Sequence, residues 1–392
     1  MNIEKLQLKG YTVQESFLNL EVNIKSYKKD IQELQAKRNT AASLYAKTRP
    51  TEEQKAEMRE INIKIENLTK ELNTLEIEYK NEALIIPNAP HDSVPVGDGP
   101  EHNPVIRQWG KTDGFSKKGH LEICGGMIDL EAGNRIAGPA FPVLRGAIAK
   151  YQRSVENYLL DKAAENGYEE ISVPLLMKKE CAIGTGQLPK FNEQLYHVEN
   201  HVLLPTAEVP LTNLYRDMIL NELPPAICAL TPCFRQEAGA AGLGTRGLIR
   251  SHQFNKVELV RFCKPEEGLN ELNKLVSHVE EMLKDLNLTH RVIELCTGDL
   301  GFAACKTYDI ELWSPGQNSW LEVSSCSLFG DFQSKRMNLR IKGSDKNYSP
   351  YTLNGSGTAL PRLMVALLEQ NENSGQVAIP DKLQNYYNKN VL

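Results

Sequence analysis

Arg235 and Glu237, followed by Phe254 and Glu258, form a set of side chains able to handle a nucleotide. They lie in Thr231-Pro232-Cys233-Phe234-Arg235-Gln236-Glu237 and in Arg250-Ser251-His252-Gln253-Phe254-Asn255-Lys256-Val257-Glu258-Leu259. Both runs read as strands, and the loop between them carries Gly239, Gly242, Gly244 and Gly247. Residues two apart on a strand share a face, so Arg235 goes with Glu237, and Phe254 with Lys256 and Glu258. An arginine can hold a phosphate, and an aromatic ring can stack on a base. A solvated hairpin with paired charges gives the same pattern, so the hairpin alone leaves both readings open.

The elements around the hairpin define an α+β body. A helix carries Leu144, Ile148, Tyr151, Val155 and Leu159 on one face and ends at Asn166-Gly167. Strands are expected at 169–176, 226–237, 248–262, 290–297, 306–313 and 319–325, with helices at 266–287 and 361–370. The last three strands are separated by gaps too short for a crossover helix, which implies antiparallel pairing. There is no Walker phosphate loop and no dinucleotide glycine fingerprint, so a nucleotide must be held another way.

Residues 13–83 follow a different rhythm. Phe17, Leu20, Ile24, Tyr27, Ile31 and Leu34 repeat at steps of three and four, as do Met58, Ile61, Ile65, Leu68, Leu72, Leu75 and Tyr79. Each set is a heptad seam. Between them, Thr48-Arg49-Pro50-Thr51 breaks the pattern, with Pro50 ending one helix and Thr51 starting the next. The result is an antiparallel hairpin reaching roughly 45 Å. Its first half (13–49) has seven basic residues, Lys47 and Arg49 among them, against four acids; its second half (50–83) has five against nine. A basic face near the tip could dock phosphates, whereas periodicity alone fits a dimerisation coil equally well. Five prolines from Pro87 to Pro104 follow as an extended linker, placing a boundary near residue 100: an arm and linker at 1–100, a catalytic domain at 101–392.

Of the 392 residues, 41% are hydrophobic and 24% charged, an ordinary globular balance, and the net charge of −5 argues against nonspecific coating of nucleic acid. No apolar run approaches the roughly 18 residues that span a bilayer, and Met1–Tyr11 lacks a signal-peptide core, which implies a cytoplasmic protein with no membrane partner. The eight cysteines have no Cys-x-x-Cys pair and read as buried thiols. His197 and His201 read as surface histidines, since the run between them is not His-Glu-x-x-His.

The hairpin resembles motif 2 of class II aminoacyl-tRNA synthetases, and the wider sequence resembles the seryl members, bacterial-type. Gly184-Thr185-Gly186-Gln187-Leu188-Pro189-Lys190-Phe191, Leu204-Pro205-Thr206-Ala207-Glu208-Val209-Pro210-Leu211, Cys296-Thr297-Gly298-Asp299, Lys306-Thr307-Tyr308-Asp309 and Glu322-Val323-Ser324-Ser325-Cys326-Ser327 carry that resemblance. Leu353-Asn354-Gly355-Ser356-Gly357 leading to Arg362 resembles motif 3, and the helix at 144–166 with the strand through Pro174 resembles the dimer-forming motif 1. The resemblance covers nearly the whole chain. It implies an antiparallel-sheet class II catalytic domain preceded by a coiled-coil arm that grips tRNA-Ser.

By that resemblance, Arg235 bridges the α-phosphate and the serine carboxylate, while Phe254 stacks on adenine with Gln236 and Glu237 nearby. Arg362 lies against the adenine and γ-phosphate. Glu322 and Ser325 hold Mg²⁺, with Val323 and Ser324 completing the ATP-binding run. Thr206, Ala207, Glu208 and Glu258 hold L-serine, and Asn354 and Ser356 close its pocket. Arg235, Glu322 and Arg362 are the expected catalytic residues, and the expected assembly is a homodimer. Lys306 and Asp309 match a family motif without an assigned chemical role.

The sequence departs from the family pattern in places. Family members usually carry a further short helical segment before the position of Met1, so packing at the base of the arm is expected to differ from theirs. Leu243-Gly244 replaces an Arg-Asp pair common in bacterial relatives. Leu328 follows Ser327 where asparagine is frequent, and Pro361 precedes Arg362 where glycine is frequent. A carrier-protein-charging paralogue would lack the arm, and a catalytically retired relative would have lost Arg235, Glu258, Glu322 or Arg362. This chain has the arm and all four residues.

Overall fold

The computed structural model describes residues 2–45, 50–237 and 247–392. Lys47, Thr48 and Arg49 of the arm break, and Gly239, Gly242, Leu243 and Gly244 of the glycine-rich loop, lie outside the described residues. The chain forms two compact units, Met1–Pro87 and Asn88–Leu392.

In the first unit a short helix α1 (Ile3–Leu8), capped by the Asn2 side chain, precedes the long helices α2 (Glu15–Tyr45) and α3 (Glu52–Ala83). Thr51 caps α3, and Gln54 reaches back to the Thr51 amide in a reciprocal capping box. The helices run antiparallel: Phe17 stacks on Tyr79 at 4.7 Å, the Tyr27 hydroxyl donates to Glu71 at 2.8 Å, and Lys28 pairs with Glu76 at 2.7 Å. Both predicted seams meet at this contact. Phe17, Leu20, Ile24 and Ile31 are buried, and Met58 through Tyr79 of the second seam are half-buried. Two helices with one shared seam cannot bury more, since every other face is exposed.

The second unit is built on an eight-stranded sheet. In chain order its strands are β1 (Val105–Trp109), β2 (Glu169–Glu170), β3 (Ile227–Phe234), β4 (Gln253–Cys263), β5 (His290–Glu294), β6 (Lys306–Ser314), β7 (Ser319–Gly330) and β8 (Tyr351–Ala359). Their spatial order is β1-β5-β6-β7-β8-β4-β3-β2, antiparallel throughout except for the parallel β2–β3 pair. Helix α4 (Ala147–Glu165) packs on β3 and β4 against Cys228, Val257 and Leu259, and a short helix α5 (Glu208–Asn213) packs on the opposite face of the same two strands against Ile227, Ala229 and Val260. Helix α6 (Gly268–Asp285) lies on β7 and β8. After a short α7 (Phe332–Arg336), α8 (Leu360–Gln370) packs on β4 and β6. Pro361 sits in the first turn of α8, where its missing N–H costs no helical hydrogen bond.

Two strands of this sheet, β1 and β8, are not expected from the sequence. The Tyr351–Ala359 run has two glycines and no alternation, and so reads as loop. It is nonetheless a central strand, paired with β4 on one side and β7 on the other, and at Gly355 the neighbours Cys326 and Leu275 come so close that a Cβ would lie 3.0 Å from each. β1 is an exposed edge strand with little apolar signal. The strand expected at 248–262 begins only at Gln253, after a turn. The strand expected over 169–176 divides between β2 and a three-stranded side sheet that starts at Leu176, with Pro174 in the break. Residues 88–97 hydrogen-bond within the second unit: Asn88 N–H to the Phe302 carbonyl at 2.9 Å, His91 N–H to Cys305 at 2.8 Å, and the Pro95 carbonyl from Thr297 at 2.9 Å. The Pro-rich stretch thus packs onto the body, where the sequence reading treats it as an extended linker ahead of a boundary near residue 100.

Candidate active site

Register brings the site together. On β4, Glu258 lies opposite Ser356 of β8 and Ala229 of β3, while Val260 lies opposite Asn354. Because β8 is central, its Asn354 also faces Ser327 of β7. Glu258 is fully buried. Its carboxylate accepts from the Thr206 hydroxyl at 2.7 Å and from the Asn354 amide at 2.9 Å, and pairs with buried Lys256. The same Asn354 amide donates to Glu208 at 3.1 Å, and the Gln333 amide donates to the other Glu208 oxygen at 2.7 Å. Gln333 is itself fixed by the Thr352 hydroxyl, which donates to its oxygen at 2.7 Å.

Two buried carboxylates are thus held beside one another. Burial first, and the Glu258 charge second, push the Glu208 carboxyl up to about 7, against the opposing effects of Gln333, Lys256 and Arg235. A pocket with this much fixed negative charge and several oriented amides and hydroxyls suits a small ligand bearing an ammonium and a hydroxyl group.

Arg235 follows the end of β3, with its backbone N–H bonded to His252 and its Nε donating to the Pro205 carbonyl at 3.1 Å. Its guanidinium lies over the Phe254 ring, 5.3 Å from the centroid. Two cavities adjoin here. The first is lined by Arg235, Glu237, Ile249, Phe254, Glu322 and Arg362, among others; the second by Thr206, Glu208, Asp309, Ser325, Asn354 and others. Arg235, Lys256, Glu322 and Ser356 line both, so a group reaching from one cavity into the other passes between an arginine and a carboxylate.

Leu248, on the wall of the first cavity, is held by a buried dyad. His120 contacts Glu369 at 3.1 Å through Nδ1, and its Nε2 accepts from the Leu248 N–H at 3.3 Å. Glu369 also accepts from the Ser314 hydroxyl at 2.5 Å and the Gly316 N–H at 3.1 Å. Gly247 has φ +76°, and a Cβ there would come within 2.2 Å of His120 Nε2, so glycine is required where the loop returns. The next carbonyl but one, that of Ile249, accepts from Arg362 Nε at 3.1 Å, and Arg362 Nη1 donates to the Glu322 carbonyl at 2.7 Å.

Several expected site residues take other positions. Glu237 does not share a strand face with Arg235, because β3 ends at Phe234 and Glu237 has φ +48°. Its carboxylate is taken by Arg250 at 2.5 Å, although it still lines the first cavity. Ala207 packs with Leu211, Ile227, Ala229 and Val260, and Gln236 donates to the Leu195 carbonyl at 2.8 Å; neither residue lines either of these two cavities. Ser324 also points away and donates to the Ser356 carbonyl at 2.6 Å, whereas Val323 lines the first cavity. Lys256 and Gln333 belong to the site although the sequence reading gives neither a role there. Strand alternation with Phe254 and Glu258 signals Lys256, but nothing in the sequence signals that Gln333 meets Glu208.

For a divalent cation the local donors are Glu322 and Ser325, both on the wall of the second cavity. They are oxygen donors, as Mg²⁺ prefers, and beside them the Oδ1 of Asp309 is shielded from solvent with no hydrogen-bond partner. The residues fit a hard cation. Burial pushes the Cys124, Cys228, Cys263 and Cys326 thiols up to about 12, and none of these four lines either cavity. His197 and His201 are exposed, and His197 Nε2 contacts the Asn192 carbonyl at 3.1 Å.

The tRNA synthetase class II core domain (G, H, P, S and T) matches residues 191–371. Within that group the serine enzymes stand out. A serine–tRNA ligase of Akkermansia muciniphila is 49% identical over 375 residues, covering 92% of this chain and 88% of the relative. The chain belongs to the seryl-tRNA synthetase family. Its activity is accordingly that of a class II serine–tRNA ligase. Another serine–tRNA ligase, from Methylacidiphilum infernorum, is 44% identical and covers 99% of this chain and 96% of the relative. The fold agrees: the crystal structure of seryl-tRNA synthetase from Pyrococcus horikoshii complexed with ATP superposes with a TM-score of 0.94 at 31% identity, covering 99% of this chain and 96% of that one. The antiparallel α-helical hairpin arm ahead of an antiparallel-sheet catalytic body is therefore the seryl synthetase architecture.

Proposed function

We propose that the two adjoining cavities divide the ligase's first step between them, ATP in the first and L-serine in the second. The observation that carries this reading is the shared wall: Arg235 and Glu322 line both cavities, at the junction where a serine carboxylate and the ATP α-phosphate must meet. Arg235 holds both anions and stabilises charge as the carboxylate attacks phosphorus in line. Phe254 offers the adenine a ring face. Arg362, fixed by Ile249 and Glu322, serves the far phosphates. Because the serine carboxylate is already ionised, no general base is needed, and orientation with electrostatics carries the step. Transfer of serine from the adenylate to the terminal ribose of tRNA completes the reaction.

In the serine cavity, Glu208 and Thr206 take the ammonium group and Glu258 takes the hydroxyl. Alanine would leave Glu258, Thr206 and Asn354 short of a partner in a buried site, which predicts rejection by roughly 10⁴ or more. Glu322 and Ser325 hold Mg²⁺, which supplies positive charge against the phosphates when bound.

The partners are ATP and tRNA, and the coiled-coil hairpin is the part that grips tRNA-Ser, mainly by backbone and shape. The exposed Ile136 and the apolar groove around Phe141, Val143 and Leu144 support a homodimer through the motif 1 region. Among the described residues no helix is long and apolar enough to cross a membrane; a cytoplasmic location is part of the same reading. Transfer of labelled serine onto unfractionated tRNA, with ATP and Mg²⁺ present, tests the whole. Acid-precipitable label from serine, and none from alanine, is the expected result; label from alanine would overturn the assignment of the serine cavity.

A further inference from the structure

Three oxygen-bearing side chains reach the second cavity from two adjacent strands. β6 and β7 pair with Asp309 opposite Ser325, and a bulge between Ile310 and Glu311 sets Glu322 opposite Glu311. Asp309, Ser325 and Glu322 all line the cavity. Glu322 and Ser325 already have a reading, as ligands of Mg²⁺. Asp309 has none, and its state calls for one. Its Oδ1 is shielded from solvent and unpartnered, and an unmet buried acceptor is costly, by about 1–3 kcal/mol and more when charged. The carboxylates of Glu322, Asp299 and Glu311 act on it electrostatically, and the Ser325 hydroxyl bonds to it.

Among the described residues the nearby cations have other partners, Lys256 with Glu258 and Arg235 with the Pro205 carbonyl. Arg291 is paired with Glu311 at 2.5 Å, Lys306 with Glu294, and Arg362 with the Glu322 carbonyl. Asp299 accepts from the Asn103 amide at 2.7 Å. A carboxylate on the wall of a ligand cavity, set among three others and with one oxygen unpartnered among the described residues, is arranged for a positive charge that arrives with the substrate.

We propose that Asp309 is a third protein residue of the divalent-metal site, its carboxylate turning to accept from the hydrated ion held by Glu322 and Ser325. Mg²⁺ keeps several of its waters, and a water bound to the cation is a strong donor to such an oxygen. Asp309 thereby orients the hydration shell and offsets the ion's charge, as outer-shell partners do in other metal sites. It acts on the ion's placement, while Arg235 and Arg362 act on the phosphates themselves. The inference rests on the metal reading of Glu322 and Ser325, and the test separates the two.

Binding of Mn²⁺ to the full-length enzyme, with ATP and without serine, can be followed by electron paramagnetic resonance. D309N is expected to weaken Mn²⁺ binding by about 10- to 100-fold, in the range found for outer-shell partners. It is also expected to leave the midpoint of thermal unfolding in EDTA unchanged or raised, because it removes a carboxylate from an acidic cluster. D309S provides the same reading should D309N fold poorly. E322Q is measured in parallel and is expected to weaken binding as well. If E322Q weakens Mn²⁺ binding and D309N does not, the role of Asp309 is overturned while the metal site stands. If neither variant changes it, the metal reading falls too. A D309N enzyme that loses thermal stability in EDTA yet binds Mn²⁺ normally would assign Asp309 a purely structural part and overturn the proposal.

Discussion

Glu258 and Glu208 show how much of this chemistry is decided by a few atoms. Glu258 is recognisable in the sequence as a strand residue two places from Lys256, yet its buried pairing with that lysine changes the choice of mutant. Glu258→Ala would leave Lys256 as an unpaired buried charge and cost about 3–5 kcal/mol of stability. Glu258→Gln keeps the volume, and is expected to lower serine-dependent pyrophosphate exchange by about 2–5 kcal/mol in apparent transition-state binding, or at least roughly 30-fold. Exchange at the wild-type rate in that variant would remove Glu258 from the serine site. Glu208 sets a pH dependence. Its folded carboxyl is raised, to about 7, so it is protonated below that pH and charged above it. Serine binding through its ammonium should therefore strengthen as pH rises through about 7, and KM for serine should climb as pH falls below it. By the same sign, the empty protein loses stability as pH rises from the ordinary carboxylate range toward about 7, and serine should restore more of it at the upper end. Glu208→Gln should flatten the KM profile; an unchanged profile would place the titration on another group.

At the scale of elements, the arm is the most legible part of the chain. Its two seams are plain because a heptad repeat sustained over about thirty residues is met by little except a helix with one buried stripe. Thr51 with Gln54 fixes the start of α3 through a local capping box. What the arm does rests on its setting. We expect that replacing residues 13–83 with a short flexible linker spares pyrophosphate exchange but reduces tRNA charging to background, measured with the same enzyme preparation. Normal charging without the arm would return it to the role of a simple dimerisation coil. β8 is the least legible element. Glycines at 355 and 357 suppress every strand signal, and only the closeness of Cys326 and Leu275 explains why nothing larger fits at Gly355. The return of the glycine-rich loop is equally hidden, since the contact of Leu248 with His120 joins residues 128 positions apart.

For the whole molecule, the expected assembly is a dimer through the region of motif 1. Ile136, 77% exposed in a short helix beside an apolar groove, is the residue to test. Ile136→Arg should shift the species seen by sedimentation velocity from twice the chain mass toward the single chain; an unchanged mass would move the interface elsewhere. The sequence by itself determined the broad plan of this protein: a heptad arm, an antiparallel α+β body and the residues of the hairpin motif. Those signals survive because they are local, carried by periodicity, capping and motif spacing over short stretches of chain. The tertiary structure alone decided which of those residues meet. Asn354 reaches Glu208 and Glu258, Gln333 orients Glu208, and Asp309 shares a cavity wall with Glu322, because strand register and the order β6-β7-β8-β4 bring distant segments together. Such pairings depend on sheet order and burial, and neither is written in the spacing of residues along the chain.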